Sequence, residues 1–274
     1  MKKPATQAQR EAGKKMGTVT KALSLLTFFT QTRPEIGLSD LTRLSRMNKA
    51  TVYRLLTELQ AAGFVEQAGA DRAYRLGPEV LRLAALREAA VPILTVSRGV
   101  LDRLGAATGE TTHVSLAKDD MLNTIAHAYS PLHATRVAME DAEVISFHGT
   151  ASGMAVLAFA TPEFTDAVLS GPLPAHTADT LTDPEAIRAV LDTVRAEGIA
   201  ESVGGFEADV HSHAAPIFGP DSRPLGALAV AAPVSRMTPA LRALIRSELR
   251  RAALELTRDI GGTCPPSYPG QAAA

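Results

Sequence analysis

Cysteine is nearly missing from this 274-residue chain. The single Cys264 excludes an intramolecular disulfide and any metal site built on a cysteine cluster. No apolar run reaches the ~18 residues that a membrane-spanning helix needs. The start, Met1-Lys2-Lys3-Pro4-Ala5-Thr6-Gln7, is basic, but polar residues follow it where a secretory signal would carry an apolar core. A cytoplasmic protein with no membrane partner is therefore expected. Charged residues are modest at 21% against 46% hydrophobic, which suits a folded chain and argues against wholesale disorder. Enzyme signatures are scarce too. There is no phosphate loop or dinucleotide fingerprint. Gly149-Thr150-Ala151-Ser152-Gly153 is not the Gly-x-Ser-x-Gly elbow of hydrolases. His148 stands near Ser152, but no acid is placed to orient it. A hydrolase using Ser152 and His148 is thus a remote alternative, and neither an enzyme, a catalytic residue nor a cofactor is expected.

The near-neutral formal charge of −1 hides an asymmetry. Residues 1–78 hold 13 Lys and Arg against 6 Asp and Glu, while the remainder holds 15 against 23 and all 7 histidines. Two modules with different partners follow, the front one suited to a polyanion. The plainer alternative is a lysine-rich tail on an ordinary domain. Residues 1–16 lack apolar periodicity and read as a flexible basic arm.

Beyond Gly17, Val19, Ala22, Leu23, Leu26 and Phe29 fall at helical spacing. Ser39 is a candidate N-cap for a short second helix with Leu41 and Leu44. After a turn at Ser45-Arg46-Met47, Asn48 is a second candidate cap. Val52, Leu55, Leu56 and Leu59 then mark one helical stripe, and Gly63 stops it. A short helix, a tight turn and a second helix form the helix-turn-helix pattern. The polar face of the second helix shows Lys49, Ala50, Thr51, Tyr53, Arg54 and Thr57. Small residues permit close approach to a major groove, and the basic and hydroxyl side chains can meet phosphates or base edges. Phe64–Gln67 and Ala73–Leu76 read as a hairpin across Ala68–Arg72, a wing whose Arg72 and Arg75 would lie along the DNA backbone.

The stretch GLSDLTRLSRMNKATVYRLLTELQAAGFVEQ, followed by YRLG, resembles the winged helix-turn-helix of the IclR family of bacterial transcriptional regulators. HGTASGMAVLA (148–158) and AAPIFGPDSRPLGALAVAAPVSRMT (214–238) are similar to the same family, so the resemblance spans about residues 17–262. It implies a C-terminal effector domain similar to GAF domains, dimers that often pair into tetramers, and small organic acids or aromatic compounds as effectors. The chain departs from the family at Asp209, where glycine is usual, and at Met154, where lysine is frequent.

Read on its own residues, the rear half mixes helices and strands. Pro78–Ala90 continues as a helix and reads as a linker whose apolar side packs on a partner subunit. A second helix runs from Ile93 to Thr108. Alternating runs at Thr112–Leu116 and Leu122–Ala126, a candidate at Thr135–Met139, and paired runs at His211–Phe218 and Leu225–Ala232 predict antiparallel strands. Thr182-Asp183-Pro184-Glu185 starts a helix that Gly198 ends, and a long apolar-striped helix closes the domain. Helices grouped around antiparallel strands give an α+β fold. The expected domains are the arm 1–16, the winged helix-turn-helix 17–77, the linker helix 78–90, an effector-binding domain 91–262 and a disordered tail 263–274.

At Ala151, Ser152 and Gly153, small residues open a helix, where free N–H groups and the helix dipole favour a carboxylate. A plain tight helix start is the alternative. A second polar cluster holds Glu201, Ser202, Asp209, His211, Ser212 and His213. Asp209, His211 and His213 alternate and could hold a metal. The alternatives are Ser212 in a pocket with the histidines on the other face, or histidines bonded within the core or an interface. The family pattern favours Ser212, with Ser202, Ala229 and Ala231 beside it, and no metal is expected. The expected effector set is therefore Ala151, Ser152, Gly153, Ser202, Asp209, Ser212, Ala229 and Ala231. The expected DNA set is Ser39, Asn48, Lys49, Ala50, Thr51, Tyr53, Arg54, Arg72 and Arg75.

The reading is a regulator whose homodimer, or dimer of dimers, binds a near-palindromic double-stranded operator under the control of a small carboxylate. Glyoxylate or pyruvate is favoured because the pocket residues are small and polar. A ligand of about five heavy atoms at about −1.5 kcal/mol each reaches micromolar affinity. The segment HATRVAMEDAEVISFHGTASGMAVLAFA is also similar to regulators of glyoxylate assimilation through the β-hydroxyaspartate pathway. An aromatic acid is the main alternative, and a ligand-independent DNA-binding protein a more remote one.

Overall fold

The computed structural model describes residues 17–30, 32–68, 72–90, 92–119, 121–139 and 143–269. The arm 1–16 and most of the wing turn, Gly69–Asp71, lie outside the described residues. The chain divides into two compact units, residues 1–89 and 90–274.

In the first unit, α1 (Thr18–Leu26), α2 (Leu38–Ser45) and α3 (Lys49–Ala61) precede the hairpin β1 (Val65–Ala68) and β2 (Ala73–Leu76). Leu25, Leu41, Val52, Leu55, Leu56, Leu59, Val65 and Tyr74 close one small core. Asn48 caps α3 by accepting from the Thr51 amide at 2.8 Å, satisfying one of the helix's orphan donors. Ser39 is not a cap. Ile36 exchanges both backbone hydrogen bonds with Tyr74, at 2.8 and 2.9 Å, so the chain stays extended through Gly37. The α2 helix then begins at Leu38 with Ser39 inside its first turn. Gly77 is needed for a close crossing: a Cβ there would sit 2.2 Å from the Gly63 carbonyl oxygen. From it runs α4 (Pro78–Ala90), no described residue of which is buried; Leu81 is 75% and Leu86 56% exposed.

In the second unit, α5 (Ile93–Thr108) leads into β3 (Thr111–Lys118) and β4 (Met121–Ala128), then β5 (Val144–Ile145). Three helices follow: α6 (Ala151–Phe159), α7 (Pro162–Leu169) and α8 (Pro184–Glu197). Then come β6 (Ala200–Val203), β7 (Val210–Phe218), β8 (Pro224–Pro233) and α9 (Pro239–Asp259). The six strands form one antiparallel sheet in the order β5-β4-β3-β8-β7-β6. Successive residues of a strand point to opposite faces. Ala214, Ala227 and Ala229 therefore join α6, α7 and α8 in one core, while Ala215, Leu228 and Val230 join α5 and α9 in another. The small alanines let α6 approach the sheet closely. The 135–139 strand candidate is not a strand; the short β5 pairs with β4 instead.

The expectation of a disordered tail from 263 is corrected for residues 263–269. Tyr268 is buried, its ring meets Phe159 and Phe218 at 5.4 and 5.3 Å, and its hydroxyl donates to the Gly198 carbonyl at 3.1 Å. An aromatic ring filling a core gap offsets the entropy of ordering a terminus. Residues 270–274 lie outside the described ones.

Candidate functional site

Among the described residues, two places gather the polar side chains expected to meet DNA or an effector. The first is the outward side of α3. With Val52, Leu55, Leu56 and Leu59 turned inward, Lys49, Ala50, Tyr53, Arg54 and Thr57 are exposed, and Thr51 is half-exposed. Among the described residues, neither Lys49 nor Arg54 is tied into an ion pair, so both cations are available to a polyanion. Ser39 is also exposed. On the hairpin, Arg72 holds a left-handed backbone (φ 53) and donates to the Gln67 side chain at 3.3–3.4 Å. Arg75 donates to Glu66 at 2.7 Å across the strand pair and lies 3.9 Å from Glu35. The two wing arginines are thus held in place by neighbours, unlike Lys49 and Arg54.

The second place is a cavity on the α6 side of the sheet, with a volume of about 50 Å³ open to the centres of water molecules. Ala151, Ser152, Ser202, Ser212 and Ala231 line it together. Strand register explains the convergence: Ser202 pairs with Ser212, and Ser212 with Ala231, so one row of the sheet faces the cavity. At the start of α6 the Thr150 hydroxyl accepts from the Gly153 amide at 3.0 Å, leaving the Ala151 and Ser152 amides without a partner inside the helix.

Three residues of the expected effector set do not line this cavity. Asp209 is exposed, just before β7 begins. Ala229 is buried in the apolar core beneath α6. Gly153 is required by packing: a Cβ would meet the Phe147 carbonyl oxygen at 2.1 Å. Conversely, the cavity wall includes His113, Thr150, Val137, Met139, Ile145, Phe206 and Val210, which sequence reasoning missed. His113 had one legible signal. It lies between Thr112 and Val114 in an alternating strand, so it points to the opposite face from Val114.

His113 is buried, and its Nε2 lies 3.2 Å from the Ser152 hydroxyl oxygen. Burial, with His127 opposite adding repulsion, pushes its pKa down to about 4, so the imidazole is neutral at pH 7. Its Nδ1 has no hydrogen-bond partner, so no acid completes a triad through it. The Ser152/His148 hydrolase arrangement is also overturned. His148 Nδ1 lies 2.8 Å from the Ser146 hydroxyl and Nε2 2.9 Å from the Pro174 carbonyl, so both ring nitrogens are engaged away from Ser152. His211 and His213 point to the other face of the sheet, toward α9.

An exposed helix face carrying Lys49 and Arg54 in a winged helical unit, on one chain with a unit that holds an internal cavity, defines a ligand-responsive DNA-binding protein. The family profile described as "Bacterial transcriptional regulator IclR C-terminal" matches residues 87–258, and that of the "IclR helix-turn-helix domain" matches residues 18–69. The chain belongs to the IclR family and is a regulator, not an enzyme. It is 27% identical over 248 residues to the HTH-type transcriptional regulator XynR of Escherichia coli K12, covering 89% of this chain and 97% of that one. A candidate IclR regulator from Silicibacter sp. TM1040, known from its crystal structure, is 65% identical with a TM-score of 0.89, over 92% of this chain and all of that one. An IclR homologue from Microbacterium hydrocarbonoxydans, crystallised with 4-hydroxybenzoate, is 25% identical with a TM-score of 0.75, over 89% and 99% of the two chains. Among the described residues no helix is long and apolar enough to cross a membrane.

Proposed function

We propose that this regulator reads its operator with α3 and is switched by an organic acid held in the cavity at the start of α6. The observation that carries the reading is the cavity's polarity. The Ser152, Ser202 and Ser212 hydroxyls and the neutral His113 give it polar groups beside the α6 start, Val137, Met139, Ile145 and Phe206 give it apolar wall, and Glu143 and Glu207 also line it. That arrangement suits a carboxylate on the helix dipole with an apolar body beyond it. An aromatic acid fits this division, and the relative crystallised with 4-hydroxybenzoate supports it. A second reading has its own observation. The volume of about 50 Å³ equals roughly three to five waters' worth. A guest the size of glyoxylate or pyruvate suits that volume, and the serines at 152, 202 and 212 would hydrogen-bond it.

In this reading Ser39, Asn48, Lys49, Ala50, Thr51, Tyr53 and Arg54 face the groove and Arg72 and Arg75 the phosphates. Residues 1–16 act as a basic arm and 17–77 as the DNA-binding domain. Helix α4 links it to a GAF-like sensor from residue 91 and joins two protomers through its exposed leucines. Two α3 helices of the dimer meet a near-palindromic site. The ligand acts by binding one arrangement of the two DNA-binding units more tightly than the other.

Calorimetry of the full-length protein against benzoate, 4-hydroxybenzoate, glyoxylate and pyruvate tests the effector. Heat from the benzoates, lost in Ser152→Ala, is expected. Heat from the two oxo acids alone supports the second reading. No heat from any of the four overturns the organic-acid reading.

A further inference from the structure

The histidines on the far side of the sheet are unused by the cavity, and their surroundings are unusual. His211 and His213, two apart on β7, stack with ring centroids 5.0 Å apart and planes within 15°. Both present Nε2 to the same oxygen of Glu201 on β6, His211 at 2.7 Å and His213 at 3.4 Å. The three ligand atoms lie within 4.8 Å of one another. His213 is fully buried, and neither of its ring nitrogens has a hydrogen-bond partner, an arrangement that burial penalises. The other oxygen of Glu201 accepts from Arg242 on α9, which fixes the carboxylate's orientation. Nearby Arg246 is paired with Glu197 at 2.6 Å.

We propose that Glu201, His211 and His213 form a binding site for a divalent transition-metal ion, with zinc as the reference ion. The donor set is right in kind: two imidazoles and one carboxylate on a single face, at separations that small side-chain adjustments bring to a common centre 2.0–2.2 Å away. A metal on Nε2 supplies a partner that His213 otherwise lacks. Arg242 serves as the outer hydrogen bond that orients a metal carboxylate. A groove of about 570 Å³ lined by Met237, Thr238, Arg242 and Arg246 adjoins the site. It leaves room for water in the fourth position. The site lies back to back with the cavity. Glu201 is followed by Ser202, and His211 and His213 flank Ser212, so alternate residues of two strands serve opposite faces. A metal would clamp the edge strand β6 to β7 behind the cavity.

The test uses the full-length protein stripped with a chelator and titrated with Co²⁺, then with Zn²⁺ in competition. One Co²⁺ per chain, with the intense visible bands of a four-coordinate ion displaced by Zn²⁺, is expected. Glu201→Gln and His211→Gln should each weaken uptake about 100-fold or more while retaining the circular dichroism spectrum. If either variant unfolds, the other, together with the wild-type spectrum, still decides. Wild-type protein that takes up no Co²⁺, or folded variants that bind as well as wild type, would overturn the site. Neither result bears on the acid-binding cavity.

Discussion

In the N-terminal unit the polar side chains of α3 stand outward around a buried stripe, whereas in the C-terminal unit those of β3, β6 and β7 point inward from a sheet covered on both faces. One unit therefore offers cations to solvent; the other keeps hydroxyls and the neutral His113 in a low-dielectric interior. The difference fits the division of labour. A polyanion is met by exposed charge, where counterion release drives binding. A small guest is met by few polar groups in a pocket that excludes water. Burial has also set the charge state: His113 is held neutral, whereas Lys49 and Arg54 stay exposed.

The comparison can be broken first at the core of α3. Leu56 is fully buried beneath the outward face. Leu56→Ala should destabilise the N-terminal unit by about 2–5 kcal/mol and leave the α9 core, closed by Leu249 and Leu256, untouched. Urea unfolding followed separately by DNA binding and by C-terminal hydrogen exchange checks this; equal loss in both units would show that their cores are not independent.

The next effect belongs to the interior. Folded His113 titrates at about 4 and the unfolded residue near 6.5. Above pH 6.5 both forms are neutral and nothing changes. As pH falls from 6.5 to 4, the unfolded chain takes up a proton that the folded one refuses, so stability is lost, on the order of 3 kcal/mol from this residue. His113→Gln should flatten that part of the denaturation-midpoint profile. An unchanged slope would mean that His113 is not held neutral by burial.

The same contrast governs what the sequence made legible. An outward-facing site follows from periodicity alone: the i, i+3, i+4, i+7 stripe fixes which residues of α3 face away, and Asn48 marks its start. Cavity residues depend on register between distant strands. Ser202, Ser212 and Ala231 come from three strands, and only their pairing shows that they share a row. The apolar walls at Val137 and Met139 come from a segment whose pattern suggests a strand but which is a loop, and Phe206 comes from a loop with no periodic signal. The small polar residues alone therefore give no sign of these apolar walls. Ser39 failed as a cap because a remote ladder with Tyr74 held the preceding residues extended. Gly153 looks like part of a ligand-binding helix start, yet its lack of a side chain is demanded by the Phe147 backbone. The tail looked dispensable because Tyr268 has no apolar neighbours in sequence; its partners Phe159 and Phe218 are far away in the chain.

The account rests on the outward face of α3 reading duplex DNA, and Arg54→Glu tests it most directly. Titrated against DNA from its own promoter at several salt concentrations, the variant should bind roughly 10–100-fold more weakly than wild type. If Arg54 meets a phosphate, its slope of log affinity against log salt should fall by about 0.9. Its thermal midpoint should not move, because Arg54 is exposed. A folded Arg54→Glu protein that binds that DNA with wild-type affinity and salt dependence would contradict it.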